Sequence, residues 1–133
     1  MNLLLAQQFI QTSLLLAEQQ QLPVAVAIVD AHGELVSFIR TDRCALHAGV
    51  LAPNKAYTAA RDRQTSGALG RWARETGKDM GYWTDSRITG IAGGVPIAEG
   101  GNIIGAIGVS GLSEEEDEHF AQKVIDTVMS ANV

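Results

Sequence analysis

The sequence predicts an α+β domain built around an antiparallel sheet that carries helices on its faces. Two β-hairpin signals support this fold class, because turns rich in Asp, Asn and Gly separate pairs of short apolar runs. Apolar residues at helical spacing open and close the chain and recur between the hairpins. The predicted element order is α-β-β-α-α-β-β-α, and the length of 133 residues predicts a single domain over 1–133.

The first hairpin follows an N-terminal helix. Asn2 is a good N-cap, and apolar residues at helical spacing continue to about Gln20. The segment Val24–Val29 is apolar on both faces, as expected of a central strand that is covered on both sides. Asp30–Gly33 has the residues of a hairpin turn, so we expect the chain to return as a second strand over Leu35–Arg40.

Two helices are predicted between the hairpins. The first covers roughly Leu46–Arg61, where Pro53 either starts the helix or kinks it, because proline lacks a backbone donor. Thr65 or Ser66 can cap the second helix, which is predicted to end at Gly77.

The segment from Lys78 to Ile91 has weak periodicity and is predicted to be a loop. A short extra strand near Ile88–Ile91 is an open alternative. Tyr82 and Trp83 lie in this segment. Aromatic residues on a loop either fill the core or line a pocket, and the pattern favours neither.

The stretch Gly93–Gly111 holds seven of the chain's fourteen glycines. Within it, Val95–Ile97 and Ile103–Val109 are predicted strands, joined by a tight turn at Glu99–Asn102. Glycine inside a strand often marks a place where another backbone or a ligand comes close, and Gly105 and Gly108 put such a place on each face of this strand.

The last helix is predicted from Glu114 to about Ser130, with Ser113 and Glu116 forming a capping box. The junction Gly108–Gly111 therefore precedes a helix N-terminus, where backbone N–H groups can hold an anion. The alternative is a glycine-rich hairpin and a capped helix with no ligand. Asp117 lies on the apolar face and needs hydrogen bonds or a cation there; it either caps its own first turn or organises the glycine loop.

Charge and cysteine content exclude several classes of protein. Five consecutive acids at 114–118 account for the net charge of −5, and the rest of the chain is balanced. Because there is no basic stripe, no nucleic-acid partner is expected. The longest apolar run, Val24–Val29, is six residues, too short to span a membrane. The single cysteine, Cys44, suits a reducing compartment, so we expect a cytoplasmic protein.

Several segments together carry a family resemblance: Val26–Asp30, Gly33–Val36, Lys55–Ala59, Gly93–Ile97, Ile104–Gly111 and Asp117. In this order they resemble the family of the glycolate-utilisation accessory protein, the heme-binding sensor proteins and the C-terminal domain of one class of corrinoid adenosyltransferase. The resemblance implies a profilin-like fold, with a five-stranded antiparallel sheet flanked by helices. It also implies homodimers or larger homo-oligomers, and heme binding in some relatives.

The candidate site is a gap between the Lys55 helix, the Gly93–Gly94 segment and the loop after the last strand. Lys55 and the loop amides are predicted to hold a carboxylate such as a propionate, while aromatic side chains supply apolar walls. The predicted ligand-contacting residues are Lys55, Tyr57, Tyr82, Trp83, Gly93, Gly94, Gly108, Ser110, Gly111 and Asp117.

Heme is an open possibility rather than a predicted cofactor, and no metal site is predicted. Cys44 and His47 form only an isolated C-x-x-H, and the N-terminal helix has no histidine to serve as an axial ligand. The remaining candidates for an iron ligand are His32, His119 and the methionines.

Three functions are compatible with the sequence. The favoured one is an accessory protein that binds a tetrapyrrole or a small carboxylate. The second is a structural subunit of a homo-oligomer in which the glycines only permit close packing. The third is an enzyme of unknown activity, for which the resemblance implies heme degradation as one possibility. The sequence offers an acid–base pair of Lys55 and Tyr57 for it, and no nucleophile elbow, metal motif or carboxylate pair is present.

Overall fold

The computed structural model describes residues 1–132 and follows the predicted order of elements. The helices are α1 (Leu3–Gln20), α2 (Ala48–Asp62), α3 (Ser66–Thr76) and α4 (Glu114–Ala131). The strands are β1 (Ala25–Asp30), β2 (Leu35–Arg40), β3 (Gly94–Glu99) and β4 (Asn102–Ser110). A 3₁₀ turn at Met80–Trp83 lies between α3 and β3.

The described residues form one four-stranded antiparallel sheet in the order β2-β1-β4-β3. The α+β class and antiparallel sheet are confirmed, but the expected fifth strand is wrong. The segment near Ile88–Ile91 forms no strand because helix side chains take its backbone hydrogen bonds. Thr89 N donates to the Thr58 hydroxyl at 3.0 Å, and the Ser66 hydroxyl donates to Ile91 O at 2.8 Å. The profilin-like label stays a prediction.

The sheet is covered on both faces, as the apolar run of β1 predicted. Helices α1 and α4 pack on one face over branched and aromatic side chains, among them Val26, Ile28, Ile107 and Phe9. Helix α2 packs on the other face over alanines of α2, β1 and β4. Five of the six residues of β1 are buried, which makes it a central strand in packing as well as in strand order.

Three of the helices begin at capping residues that the sequence predicted. Asn2 accepts from Leu5 N at 2.8 Å, and Thr65 rather than Ser66 is the N-cap of α3. Gly77 ends α3 with a left-handed φ of 71°. At the start of α4, Ser113 and Glu116 form the predicted capping box, which fixes where this helix leaves the glycine-rich junction.

Helix α2 lies directly against the backbone of the last hairpin. A Cβ on Gly108 would come within 2.0 Å of Ala52 O, and one on Gly94 within 2.1 Å of Lys55 O. The close approach predicted at Gly108 is therefore made by the chain's own helix. Pro53 lies inside α2 and does not start it, since the helix already begins at Ala48.

Candidate functional site

Lys55 lies at the centre of the candidate site, where predicted site residues from several elements come together. Its side chain points from α2 into the protein and is 1% exposed. Its ammonium donates to the backbone carbonyl of Val109 at 2.9 Å and to Asp117 Oδ2 at 3.0 Å. One cation thus joins α2, the end of β4 and the first turn of α4.

Asp117 is the other half of this buried ion pair and is 2% exposed. Its second oxygen, Oδ1, accepts from the backbone N–H of Leu112 at 3.0 Å. Burial raises the pKa of the Asp117 carboxyl, and the charge and hydrogen bond of Lys55 act in the opposite direction. The observed contacts of Asp117 are with the glycine-rich junction, because its carboxylate binds the N–H of Leu112 before the helix and reaches the end of β4 through Lys55. The cap of the first turn of α4 is supplied by Ser113 and Glu116.

The predicted gap beside Lys55 is filled by the protein's own atoms. A Cβ on Gly93 would lie 2.3 Å from Val109 O and 2.9 Å from Lys55 Nζ. A Cβ on Gly111 would lie 2.4 Å from Pro23 O. The expectation of an open gap is wrong for a physical reason: the missing side chains admit backbone carbonyls and the lysine stem, where we expected them to admit a ligand.

Seven of the ten predicted residues belong to this interior cluster or its immediate surroundings. They are Lys55, Gly93, Gly94, Gly108, Ser110, Gly111 and Asp117. Ser110 is 3% exposed and pairs with Ala25 across the sheet. Contact of any of the ten with a ligand stays a prediction.

Tyr57 shares α2 with Lys55 but makes a separate set of contacts. Its hydroxyl donates to the carboxylate of Asp85 in a short hydrogen bond. The guanidinium carbon of Arg87 lies 3.8 Å from the centre of the ring, and that of Arg61 lies 5.2 Å from it. The hydrogen bond to Asp85, followed by burial, raises the pKa of Tyr57, and the same hydrogen bond lowers the pKa of Asp85.

These contacts separate the two members of the imagined acid–base pair. The ammonium of Lys55 is engaged by Asp117, and the hydroxyl of Tyr57 is engaged by Asp85. The Tyr57–Asp85 bond instead fastens the loop before β3 onto α2.

Tyr82 and Trp83 lie on the 3₁₀ turn, which buries none of its residues, so they do not fill the core. Tyr82 is 68% exposed, and the ammonium of Lys78 lies 5.8 Å from the centre of its ring. Trp83 packs edge-to-face on Trp72 of α3, with ring centres 5.3 Å apart. The aromatic loop is therefore held by α3 and Lys78, apart from the Lys55 cluster.

Sequence reasoning missed the side chains that hold the entry to β3. The Ser66 hydroxyl accepts from Gly94 N at 2.9 Å, and Glu114 Oε1 accepts from Ala92 N at 2.8 Å. The sequence indicated only a capping function for Ser66 and a negative charge for Glu114. No local sequence pattern indicates a hydrogen bond to a backbone group more than 20 residues away.

Within residues 1–132, no three His, Cys, Asp or Glu side chains gather in a way that could hold a metal ion. Over the same range, no helix has both the length and the apolar character needed to cross a membrane.

The fold and the site define a class of protein: a small α+β module whose glycine-rich hairpin is locked to two helices by a buried lysine–aspartate pair. A family model described as "Haem degrading protein HbpS-like" matches residues 1–126. The chain belongs to this family, and the resemblance noted in the sequence is confirmed.

Two relatives match this chain over different shares of their own length. Over 116 residues the chain is 34% identical to the corrinoid adenosyltransferase PduO of Salmonella typhimurium, covering 84% of this chain and 34% of that protein. Over 94 residues it is 34% identical to protein GlcG of Escherichia coli, covering 71% of this chain and 69% of GlcG. The match thus spans about a third of the adenosyltransferase but most of GlcG.

Solved structures show the same fold. The Klebsiella pneumoniae protein ORFY superposes with a TM-score of 0.88 at 27% identity, covering 98% of this chain and 91% of that one. A crystal structure of a PduOC:heme complex superposes with a TM-score of 0.85 at 29% identity, covering 95% of this chain and 93% of that one. HbpS also superposes with a TM-score of 0.85, but at 24% identity this shows the fold alone.

Proposed function

We propose that this chain is an accessory protein that binds a small molecule, and that its ligand is a heme-type tetrapyrrole. The observation that carries the proposal is the PduOC:heme complex, whose protein matches 95% of this chain at 29% identity with a TM-score of 0.85. Because the match covers the whole domain, the surfaces available to a ligand are built from the same elements in both proteins.

In this proposal the interior cluster around Lys55 holds the fold together and does not itself bind the ligand. The ammonium of Lys55 has three donors, and two of them are taken by Val109 O and Asp117. A ligand carboxylate at that point would have to displace a buried charge partner, which is strongly unfavourable. Of the predicted residues, Tyr82 is the one whose ring an external ligand reaches most directly.

Titration with hemin tests the proposal. We expect the Soret band to change until hemin and protein reach a stoichiometric ratio and then to stay constant. We also expect the melting temperature to rise, because a ligand that binds the folded state stabilises it. Iron-free protoporphyrin in a parallel titration separates binding of the macrocycle from coordination of the iron. If hemin produces neither a saturable Soret change nor a thermal shift, the proposal is wrong. A thermal shift with a small carboxylate alone would then assign the other ligand that the sequence left open.

A second candidate function is a homo-oligomeric assembly subunit that needs no ligand. It is favoured by the filled gap and by exposed large side chains, since Leu4 is 78% and Leu46 80% exposed. We propose that assembly takes place in the cytoplasm, the compartment that its free Cys44 suits. Light scattering at micromolar concentration would show an oligomer; a monomer would refute this candidate and leave hemin binding to be decided by the titration above.

A further inference from the structure

An open groove beside α3 brings charges of both signs to one surface. It runs between α3 and the loop that precedes β3. Arg74 and Lys78 lie on its α3 side, and Ile91 and Glu114 lie on the side of the loop and the start of α4. We call this surface, together with the neighbouring Trp72 of α3, the α3 face.

The floor of the groove is made of backbone. A Cβ on Gly70 would lie 2.0 Å from Gly90 O, so α3 and the loop are in direct contact there. A groove of this shape is too open to surround a small molecule, because small-molecule sites bury most of the surface of their ligand. It can instead receive the side chains of a second protein surface.

The bases of the α3 face form no salt bridge within residues 1–132. Arg74 and Lys78 are both exposed. Glu114 is exposed as well, and its Oε1 accepts from Ala92 N at 2.8 Å, which fixes where the carboxylate lies. Charges of opposite sign are therefore presented to solvent on the two sides of one groove.

Apolar and aromatic surface accompanies these charges. Ile91 is 41% exposed and Trp72 is 43% exposed. Trp72 is held by an edge-to-face contact with Trp83, so its exposed part is a fixed surface. Protein interfaces are enriched in Trp and Arg, and exposed apolar surface rimmed by polar residues marks interaction sites. The α3 face therefore has the composition of a protein–protein interface.

The distribution of charge selects the occupant of this surface. A two-fold axis places the same surface of two copies face to face, so that residue i contacts residue j and j contacts i. The basic side of each copy then meets the acidic side of the other, which gives two equivalent sets of ion pairs. An unrelated acidic segment would match Arg74 and Lys78 but would be repelled by Glu114. A second copy of this chain fits both sides at once.

We propose that two copies of this chain dimerise through the α3 face, with Arg74 and Lys78 of each copy facing Glu114 of the partner subunit. The inference rests on the second candidate function, because it assigns a surface to the assembly proposed there. It places the interface beside α3, apart from the exposed Leu4 of α1 and from Leu46, which precedes α2.

Sedimentation equilibrium of the full chain measures the dissociation constant of the dimer. Arg74→Glu sets like charges against each other at two equivalent contacts, so we expect this constant to rise at least about a hundredfold. Glu114→Gln keeps an oxygen acceptor for Ala92 N but removes the charge, so it should raise the constant by a smaller factor. Lys123→Glu is the matched control, because it makes the same change of charge at an exposed position of α4 outside the groove. It should leave the constant unchanged.

A mixing experiment distinguishes charges that pair between copies from charges that pair within one chain. Arg74→Glu and Glu114→Lys should each be monomeric, because each variant brings like charges together across the two-fold axis. Mixed in equal amounts, they should form a dimer again, because every introduced charge then faces an opposite charge on the other copy. Charges that act within one chain cannot produce this rescue. Circular dichroism checks that both variants are folded, which matters most for Glu114→Lys because Glu114 holds Ala92 N.

The outcomes separate this inference from the candidate function on which it rests. If the wild type assembles and Arg74→Glu assembles equally well, the α3 face is not the interface, while assembly stands. Dissociation by Leu46→Ser in place of Arg74→Glu would locate the interface at the start of α2. If the folded variants are monomeric and their mixture is not rescued, the two side chains do not pair across the axis and the proposal is wrong. If the wild type is monomeric at micromolar concentration, the assembly candidate fails and the inference fails with it.

Discussion

Replacing Lys55 by methionine tests how much the buried ion pair contributes to stability. Lys55→Met keeps the length of the side chain but removes the ammonium that joins Asp117 to Val109 O. Asp117 is 2% exposed, so the variant leaves a buried carboxyl with Leu112 N as its donor. Breaking a buried pair on one side destabilises a protein by about 3–5 kcal/mol.

The variant should also make stability depend on pH. Burial already raises the pKa of Asp117, and removing Lys55 removes the largest opposing cause, so the pKa in the folded variant rises further above its unfolded value. A folded-state pKa that is raised stabilises the fold below the unfolded pKa and loses that contribution as pH rises through the folded pKa. The deficit of Lys55→Met relative to the wild type should therefore be smallest below about pH 4 and grow toward neutral pH.

Urea denaturation of the wild type, Lys55→Met, Asp117→Leu and the double variant measures the effect. We expect each single variant to lose about 3–5 kcal/mol at pH 7, and the double variant to lose less than the sum, because neither charge is then left buried alone. A coupling energy near zero, or single losses below about 1 kcal/mol with no change between acidic and neutral pH, would refute the reasoning.

Two further substitutions test the packing and the loop. Gly108→Ala places a Cβ within 2.0 Å of Ala52 O, so α2 must shift. We expect the free energy of unfolding in urea to fall by about 1–3 kcal/mol, and by more than in the control. Gly77→Ala is its control, since nothing lies within 4 Å of the added Cβ and only the left-handed φ is strained, for about 1 kcal/mol; equal losses would contradict the close approach. Tyr57→Phe removes the hydrogen bond to Asp85 and should cost about 1 kcal/mol near neutral pH. Because the pKa of Asp85 is lowered and that of Tyr57 is raised, this difference should shrink as pH falls below about 4 or rises above about 10. Melting temperatures of both proteins across pH check it, and a difference independent of pH would contradict the assignment.

The parts of the fold that could be predicted are those with local causes. Asn2, Thr65 and Ser113 cap the helices they precede, and the turn at Glu99–Asn102 uses two glycines of positive φ. The prediction of a fifth strand was wrong because backbone groups of that segment bond to the side chains of Thr58 and Ser66 instead of to a neighbouring strand. Both residues are distant in sequence.

The site was predictable only in part. The sequence indicated that Asp117 would face the sheet and need hydrogen bonds or a cation. The structure supplies both, the N–H of Leu112 and the ammonium of Lys55, which is 62 residues away. It could not indicate what would occupy the space beside Gly93, because a missing Cβ admits a ligand and a backbone carbonyl equally well.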